Sequence, residues 1–267
     1  MQAFIASTIT TFIADYQKTN RQVSSWGEPL VGFAAADDPL MSKLKTAVSP
    51  SHALPKDLLA DARSVIVYFI PFAKDIPRSN RPERLASREW ALAYIETNRL
   101  IVAVNEHLAQ QLDQKGYSSF LLPPTHNFDT EKLISDWSHK HLAYIAGLGK
   151  FGVHHLLITA KGCCGRFGSL VTNLRVPASE RSEDEVCLHR FNGSCLKCVA
   201  RCVVGALEKE HFNRQRCYRL LLENAARFKK EGLADVCGKC TCVVPCSFHN
   251  PVTRALKSRP GRQEEVH

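Results

Sequence analysis

The chain has 267 residues, 11 of them cysteine, and a formal net charge of +9. Its length allows a proper core, built as one large domain or two small ones. No cysteine precedes Cys163, which excludes the short, evenly laced disulfide scaffold of secreted proteins. No apolar run approaches the roughly 20 residues that cross a bilayer, so no membrane is expected.

The opening MQAFIASTITTFIADYQK lacks the basic start and small-residue cleavage site of a signal peptide. It reads as an amphipathic helix over residues 2–19, and the expected location is the cytoplasm, where thiols stay reduced. An apolar stretch follows at residues 30–36, bounded by Pro29 and Asp37. The run SVIVYFIPF, residues 64–72, is rich in β-branched and aromatic residues and predicts a buried strand. Residues 89–115 carry helical periodicity, with Trp90, Ile101, Val104, Leu108 and Leu112 on one face and Gly116 as the stop. A short strand at 120–122 then meets Pro123 and Pro124. Strand, long helix, strand is the rhythm of an α/β or α+β layer, expected over residues 1–186.

From Asp129 to about Val176 glycine is dense, and no acidic residue occurs between Asp136 and Glu180. Such a stretch suits a bulky or anionic ligand. AGLGKFG matches G-x-G-x-x-G through Gly147, Gly149 and Gly152, but a dinucleotide fold also needs an acidic residue about 20 positions on. None is present. Two readings stay open: a loop of Gly147, Gly149, Lys150, Phe151 and Gly152 lining another cofactor, or plain tight turns. His139, His141, His154 and His155 crowd the same region without the HExxH spacing of a metal helix, and read as surface or hydrogen-bonding histidines.

The cysteines carry the chemistry. Cys187, Cys195, Cys198 and Cys202 read C-x7-C-x2-C-x3-C; Cys217 stands alone; Cys237, Cys240 and Cys246 read C-x2-C-x5-C. Two-cubane ferredoxins use four thiolates per cluster, and the last cysteine of each run crosses to the other cluster. Zinc would suit the two C-x2-C pairs, yet would leave Cys187, Cys202, Cys217 and Cys246 idle or demand a second site. Cys163, Cys164 and Cys242 lie outside the pattern. Residues 187–250 are therefore expected to form a ferredoxin-like module, with one helix near 216–228, folded around metal. A basic tail occupies 251–267. Eight thiolates and two oxidised cubanes would bring the charge to about +5, compatible with an acidic redox partner or a nucleic acid.

Several segments together resemble the epoxyqueuosine reductase family and its relatives, the corrinoid iron–sulfur reductases that include reductive dehalogenases. They are SVIVYFIPF, WSHKHLAYIAGLGKFGVHHLLIT, RFGSLVTNLRVP, NGSCLKCVARCVVGAL, RQRCYRLLLENA and VCGKC. The resemblance implies two [4Fe–4S] clusters beside a base-off cobalamin. It implies one cluster on Cys187, Cys195, Cys198 and Cys246, and the other on Cys202, Cys217, Cys237 and Cys240. It also implies a proton donor at Asp129, with Asp136 as the other aspartate in range; Tyr144 is a further candidate acid. The chain departs from the family at Asn192, which stands where the first cysteine falls, at Val203, where a proline is usual, and in a Cys240–Cys246 interval two residues longer than expected. The expected function is a corrinoid-dependent reductase fed by a flavodoxin, ferredoxin or reductase and acting on a small molecule or a tRNA. The alternatives are a ferredoxin-like electron carrier and a corrinoid-handling protein.

Overall fold

The computed structural model describes residues 1–124 and 128–257; most of the basic tail lies outside them. In chain order come α1 Gln2–Thr19, β1 Leu30–Ala35, α2 Pro39–Ala47, α3 Pro55–Leu58, β2 Ser64–Pro71, α4 Asp75–Ser79, α5 Arg88–Asp113 and β3 Ser119–Leu121. They are followed by β4 Phe128–Asp129, β5 Ile134–Ser135, α6 His139–Ile145, β6 Gly149–Phe151, β7 Leu157–Thr159 and β8 Gly165–Thr172. The cysteine-rich end adds α7 Leu188–Asn192, α8 Lys197–Ala200, α9 Arg214–Arg227 and α10 Pro251–Lys257.

β2 explains the layering. Every one of its 8 residues is buried, and successive side chains of a strand point to opposite faces. Ile66, Tyr68 and Ile70 therefore join Ile5, Ile9, Leu100 and Leu108 on the side of α1 and α5. Val65 and Val67 join Met41, Leu44, Leu142 and Ile145 on the side of α2 and α6. A sheet covered on both faces results, with strand order β1-β2-β8-β3. All its pairs are antiparallel, so of the two rhythms left open by the sequence the layer follows α+β. β8 pairs with β2 along its whole length and sets Gly168 opposite Tyr68; a Cβ on Gly168 would collide with the Tyr68 ring. The glycines that hide this strand from a pattern reading are what let it pack.

α5 starts where Ser87 caps it, accepting the Trp90 N–H at 3.2 Å, and Gly116 follows it at φ 81°. Its first half is buried almost all round, Trp90 through Ile95, because the cysteine-rich segment covers the side the sheet leaves free. Phe228, Ala234, Val236 and Cys242 belong to the same core as α1 and α5. Polar stitching completes the junction: Asn224 accepts the Ala86 N–H and donates to the Val236 carbonyl (3.0 and 2.7 Å). Lys239, only 1% exposed, donates to the Asn80 and Pro82 carbonyls. One core thus runs across the 186/187 boundary.

Below the sheet, Trp137 Nε1–H donates to Ser169 Oγ at 3.0 Å. Ser169 faces His139 Nδ1 at 2.8 Å, and His139 Nε2 lies 3.1 Å from the Pro123 carbonyl. The hydroxyl therefore donates to Nδ1, and Nε2–H donates to Pro123. The ring is neutral, and burial holds its pKa down to about 4.

Two outcomes are expected. Unfolded histidine, near 6.5, takes up its proton before folded His139 does. Stability is therefore complete above pH 6.5 and falls by as much as about 3 kcal/mol as pH drops towards 4. Urea unfolding at pH 7 and 4.5 should show a smaller drop in His139→Gln than in the wild type. At the junction, Gly238 has φ 66° and its missing Cβ leaves room for the Trp90 indole. Gly238→Ala should cost at least about 2 kcal/mol, whereas Gly193→Ala, with φ 75° and open space around it, should cost about 1 kcal/mol. Equal costs in denaturant melts would rule out the packing account.

Candidate metal and ligand site

The cysteine-rich segment has too few apolar side chains to fold on its own core, and its short helices serve to aim thiols inward. Cys187 caps α7, Cys198 lies in α8, and Cys217 lies in α9. None of the 11 cysteines is in a disulfide. The thiols sort into two groups by the charges they feel. Burial pushes Cys198 up to about 12, and Cys246, Cys187 and Cys195 add to it. Burial pushes Cys217 up to about 11, with Cys237 and Cys202 adding to it. Cys240 rises well above its ordinary value through burial and then Cys237, Cys217, Cys202 and Cys198. One group of interactions links Cys198 with Cys246, Cys187 and Cys195, the other links Cys217 and Cys240 with Cys237 and Cys202, and Cys240 also feels Cys198. Cys187, Cys198, Cys202 and Cys240 also share one apolar cluster with Val153 and Leu207.

Each group has built-in compensation for sulfur charge. Cys202 Sγ accepts the Ala206 and Leu207 N–H groups at 3.1 and 3.4 Å. Cys246 is held down to about 5, by hydrogen bonding from Cys163 first and His154 next, against burial. The three thiols outside the pattern line up behind the groups. Cys163 N–H donates to the Cys246 carbonyl, Cys164 donates to the Thr241 carbonyl at 3.2 Å, and Cys242 accepts from Asn80 at 3.3 Å.

Two adjoining cavities lie between α6 and the cysteine groups. One, of about 390 Å³, is lined by Cys202, Cys217, Cys237 and Cys240. The other, of about 490 Å³, has aromatic walls in Phe128, Phe151, Phe212 and Tyr218 and a basic rim in Lys140 and Arg214. Both touch Lys140, His155, Phe212, Cys217 and Asp235. Lys140 Nζ donates to the His155 carbonyl at 3.1 Å; burial, then Arg214, lowers it to about 8. His141, packed at a tilt against Phe151 with ring centroids 4.7 Å apart, is lowered to about 4 by burial and then Lys140. Arg166 lies over the Tyr94 ring at 4.1 Å. Arg166 Nε and Asp235 Oδ1 are buried with no hydrogen-bond partner among the described residues.

The residues expected around a cofactor are distributed differently. Phe151 lines the larger cavity, but Gly147, Gly149, Lys150 and Tyr144 line a separate cleft of about 60 Å³. A Cβ on Gly147 would collide with the Glu180 carbonyl, and one on Gly149 with the Ile158 carbonyl. These glycines let chain pass chain, so the loop's tightness comes from self-packing. Lys150 Nζ donates to the Glu183 carbonyl. Asp129 is exposed on the β4–β5 hairpin, next to Phe128 of the cavity wall. It accepts the Lys132 and Glu131 N–H groups at 2.9 and 2.8 Å, which hold its carboxyl below the usual range. Asp136 is exposed and accepts from Ser51 Oγ. Sequence reasoning missed Lys140, Arg166, Arg214 and Asp235; each sits far along the chain from the others, and nothing in their spacing marks them as neighbours.

No family model matches the chain. It is 26% identical over 250 residues to the epoxyqueuosine reductase of Bacillus subtilis, covering 83% of this chain and 60% of that protein. It is 23% identical over 216 residues to that of Bacillus anthracis, covering 73% and 52%. The chain therefore spans little more than half the length of these curated relatives. Among solved structures, an epoxyqueuosine reductase with a modified tRNA stem loop superposes with TM-score 0.55 at 20% identity, covering 91% of this chain and 66% of that one. A catabolic reductive dehalogenase superposes with TM-score 0.57 at 19% identity, covering 84% and 30%. The chain is thus similar in sequence to epoxyqueuosine reductases and shares its fold with both them and the reductive dehalogenases, the superfamily its motifs resemble.

Proposed function

We propose that this chain is an iron–sulfur oxidoreductase with two [4Fe–4S] clusters and a corrinoid. The observation that carries the reading is that Cys202, Cys217, Cys237 and Cys240 line one cavity, while Cys198 is raised by burial and by the charges of Cys246, Cys187 and Cys195. Cys187, Cys195, Cys198 and Cys246 would hold one cluster, and Cys202, Cys217, Cys237 and Cys240 the other. The fit is chemical as well as numerical: buried thiols that repel one another's charge are relieved by a cationic core.

The larger cavity suits a corrinoid. Its walls carry aromatic rings, while Arg166 Nε in the adjoining cavity and Asp235 Oδ1, shared by both, are buried without a hydrogen-bond partner among the described residues and offer a donor and an acceptor to a macrocycle edged with amides. Among the fold neighbours is a reductive dehalogenase described as using a B12-dependent mechanism. When bound, the clusters supply single electrons over short distances and the corrinoid supplies a reducible cobalt centre.

This chain's own residues then bind, orient and protonate. Phe151 and Phe212 give flat surfaces, and Lys140 and Arg214 orient an electron-rich group from the rim. Lys140, with a pKa of about 8, can hold or release a proton at Nζ near neutral pH. Asp129 is the second acid, positioned at the cavity mouth by its hairpin. It reaches substrate once the hairpin swings in, a motion with a parallel in the Bacillus subtilis enzyme, captured with its catalytic aspartate loop swung out of the active site. Tyr144 lines the separate small cleft. The substrate is a small molecule or a modified tRNA base, and the electrons come from a flavodoxin, ferredoxin or reductase. The tRNA option follows the neighbour that binds a tRNA stem loop.

The test is iron analysis and a visible spectrum of anaerobically prepared protein, with and without cobalamin. About eight irons per chain are expected, with co-elution of cobalamin in the base-off form. Clusters without corrinoid binding would leave an electron carrier, and zinc in place of iron would end the reading. Cys198→Ser should lower iron from about eight to about four per chain; unchanged iron removes it as a ligand. Asp129→Asn should depress turnover about 10²-fold or more with iron content intact, and retained turnover would exclude Asp129 as proton donor.

A further inference from the structure

His154 sits on the turn between β6 and β7, only 5% exposed, with its Nε2 3.3 Å from Cys246 Sγ. The other ring nitrogen settles which way this hydrogen bond runs. Nδ1 accepts the Leu156 backbone N–H at 3.1 Å, so Nδ1 carries no proton. The imidazole is neutral with its proton on Nε2, and Nε2–H donates to the sulfur. Two further contacts fix the geometry. Gly152 packs beneath the ring, where a Cβ would lie 3.0 Å from Cε1 and 3.1 Å from Nε2. On the other side, Cys163 N–H holds the Cys246 carbonyl at 3.0 Å, and Cys163 Sγ lies 4.0 Å from Cys246 Sγ. The histidine is thus locked in tautomer, ring position and target.

We propose that His154 is a redox-tuning residue: its Nε2–H hydrogen bond to the Cys246 sulfur raises the reduction potential of the cluster that Cys246 holds. This inference rests on the two-cluster reading above. Adding an electron makes a cubane and its thiolates more negative, and an N–H donor on a ligand sulfur favours that state. The effect is confined to one cluster, because the second group draws its sulfur donors elsewhere, from the Ala206 and Leu207 amides on Cys202. The two clusters would then differ in potential through a side chain on one and backbone on the other. His154 is a positioning residue for charge and has no contact with substrate in this scheme.

The experiment is an anaerobic dithionite titration followed by electron paramagnetic resonance on wild type, His154→Phe and His154→Gln, with iron analysis on each. One of the two midpoint potentials should fall in His154→Phe, the other should stay, and His154→Gln, which keeps an N–H donor, should recover part of the loss. Iron should remain at about eight per chain throughout. Should His154→Phe fail to fold, protein labelled with ¹⁵N-histidine decides the matter. The reduced wild type should show an exchangeable proton and one histidine nitrogen coupled to a cluster, and absence of both couplings overturns the proposal. Unmoved potentials with about eight irons overturn the tuning role and leave the cluster reading standing. Loss of about four irons in both variants makes His154 a ligand, which also overturns it. Wild-type protein with zinc and no iron overturns the cluster reading and this inference with it.

Discussion

Sulfur charge in a buried place is the constraint on which the rest of the molecule depends. Eight thiols are brought together where burial and mutual repulsion push Cys198, Cys217 and Cys240 upward. A segment organised in this way gains little from its own apolar side chains and much from a cation among its sulfurs. It also needs a rigid platform, since sulfur positions must be held against that repulsion.

The platform is α5. A helix that covers a sheet normally keeps a solvated face, but the first half of α5 is closed on both sides, by β2 and β8 and by the segment from Phe228 to Cys242. Trp90 fills the space left by Gly238, between Cys237 and Cys240. Lys239 reaches back to the loop before α5. The thiol groups therefore inherit the stiffness of the main core. Cys246 is tied in at a second point, the turn of Cys163 and Cys164 that precedes β8.

The cavities follow from the same docking. The cysteine-rich segment packs on α5, and a gap remains between Lys140 of α6 and the Arg214 end of α9. Aromatic rings fill its walls, and Lys140 and Arg214 both line it, with burial first and Arg214 next lowering the Lys140 pKa.

The sequence by itself determined the elements with strong local pattern and the chemistry with strong spacing. The helix at residues 2–19, the buried strand at 64–72 and the face of Trp90, Ile101, Val104, Leu108 and Leu112 were legible because burial imposes periodicity. The cysteine order was legible because its short intervals stand out in the local sequence. Only the tertiary structure decided what was made by contact across long distances. β8 became a central strand despite Gly165 and Gly168, since its fitness lies in the rings of Phe69 and Tyr68 that occupy the space of the missing side chains. Gly147 and Gly149 let chain pack against chain, and Lys140, Arg166, Arg214 and Asp235, each lining one or both cavities, come from four separate segments. His154 and Cys246 are 92 residues apart, and no local pattern can signal a hydrogen bond whose partners meet only when the sheet, α5 and the cysteine-rich segment have closed on one another.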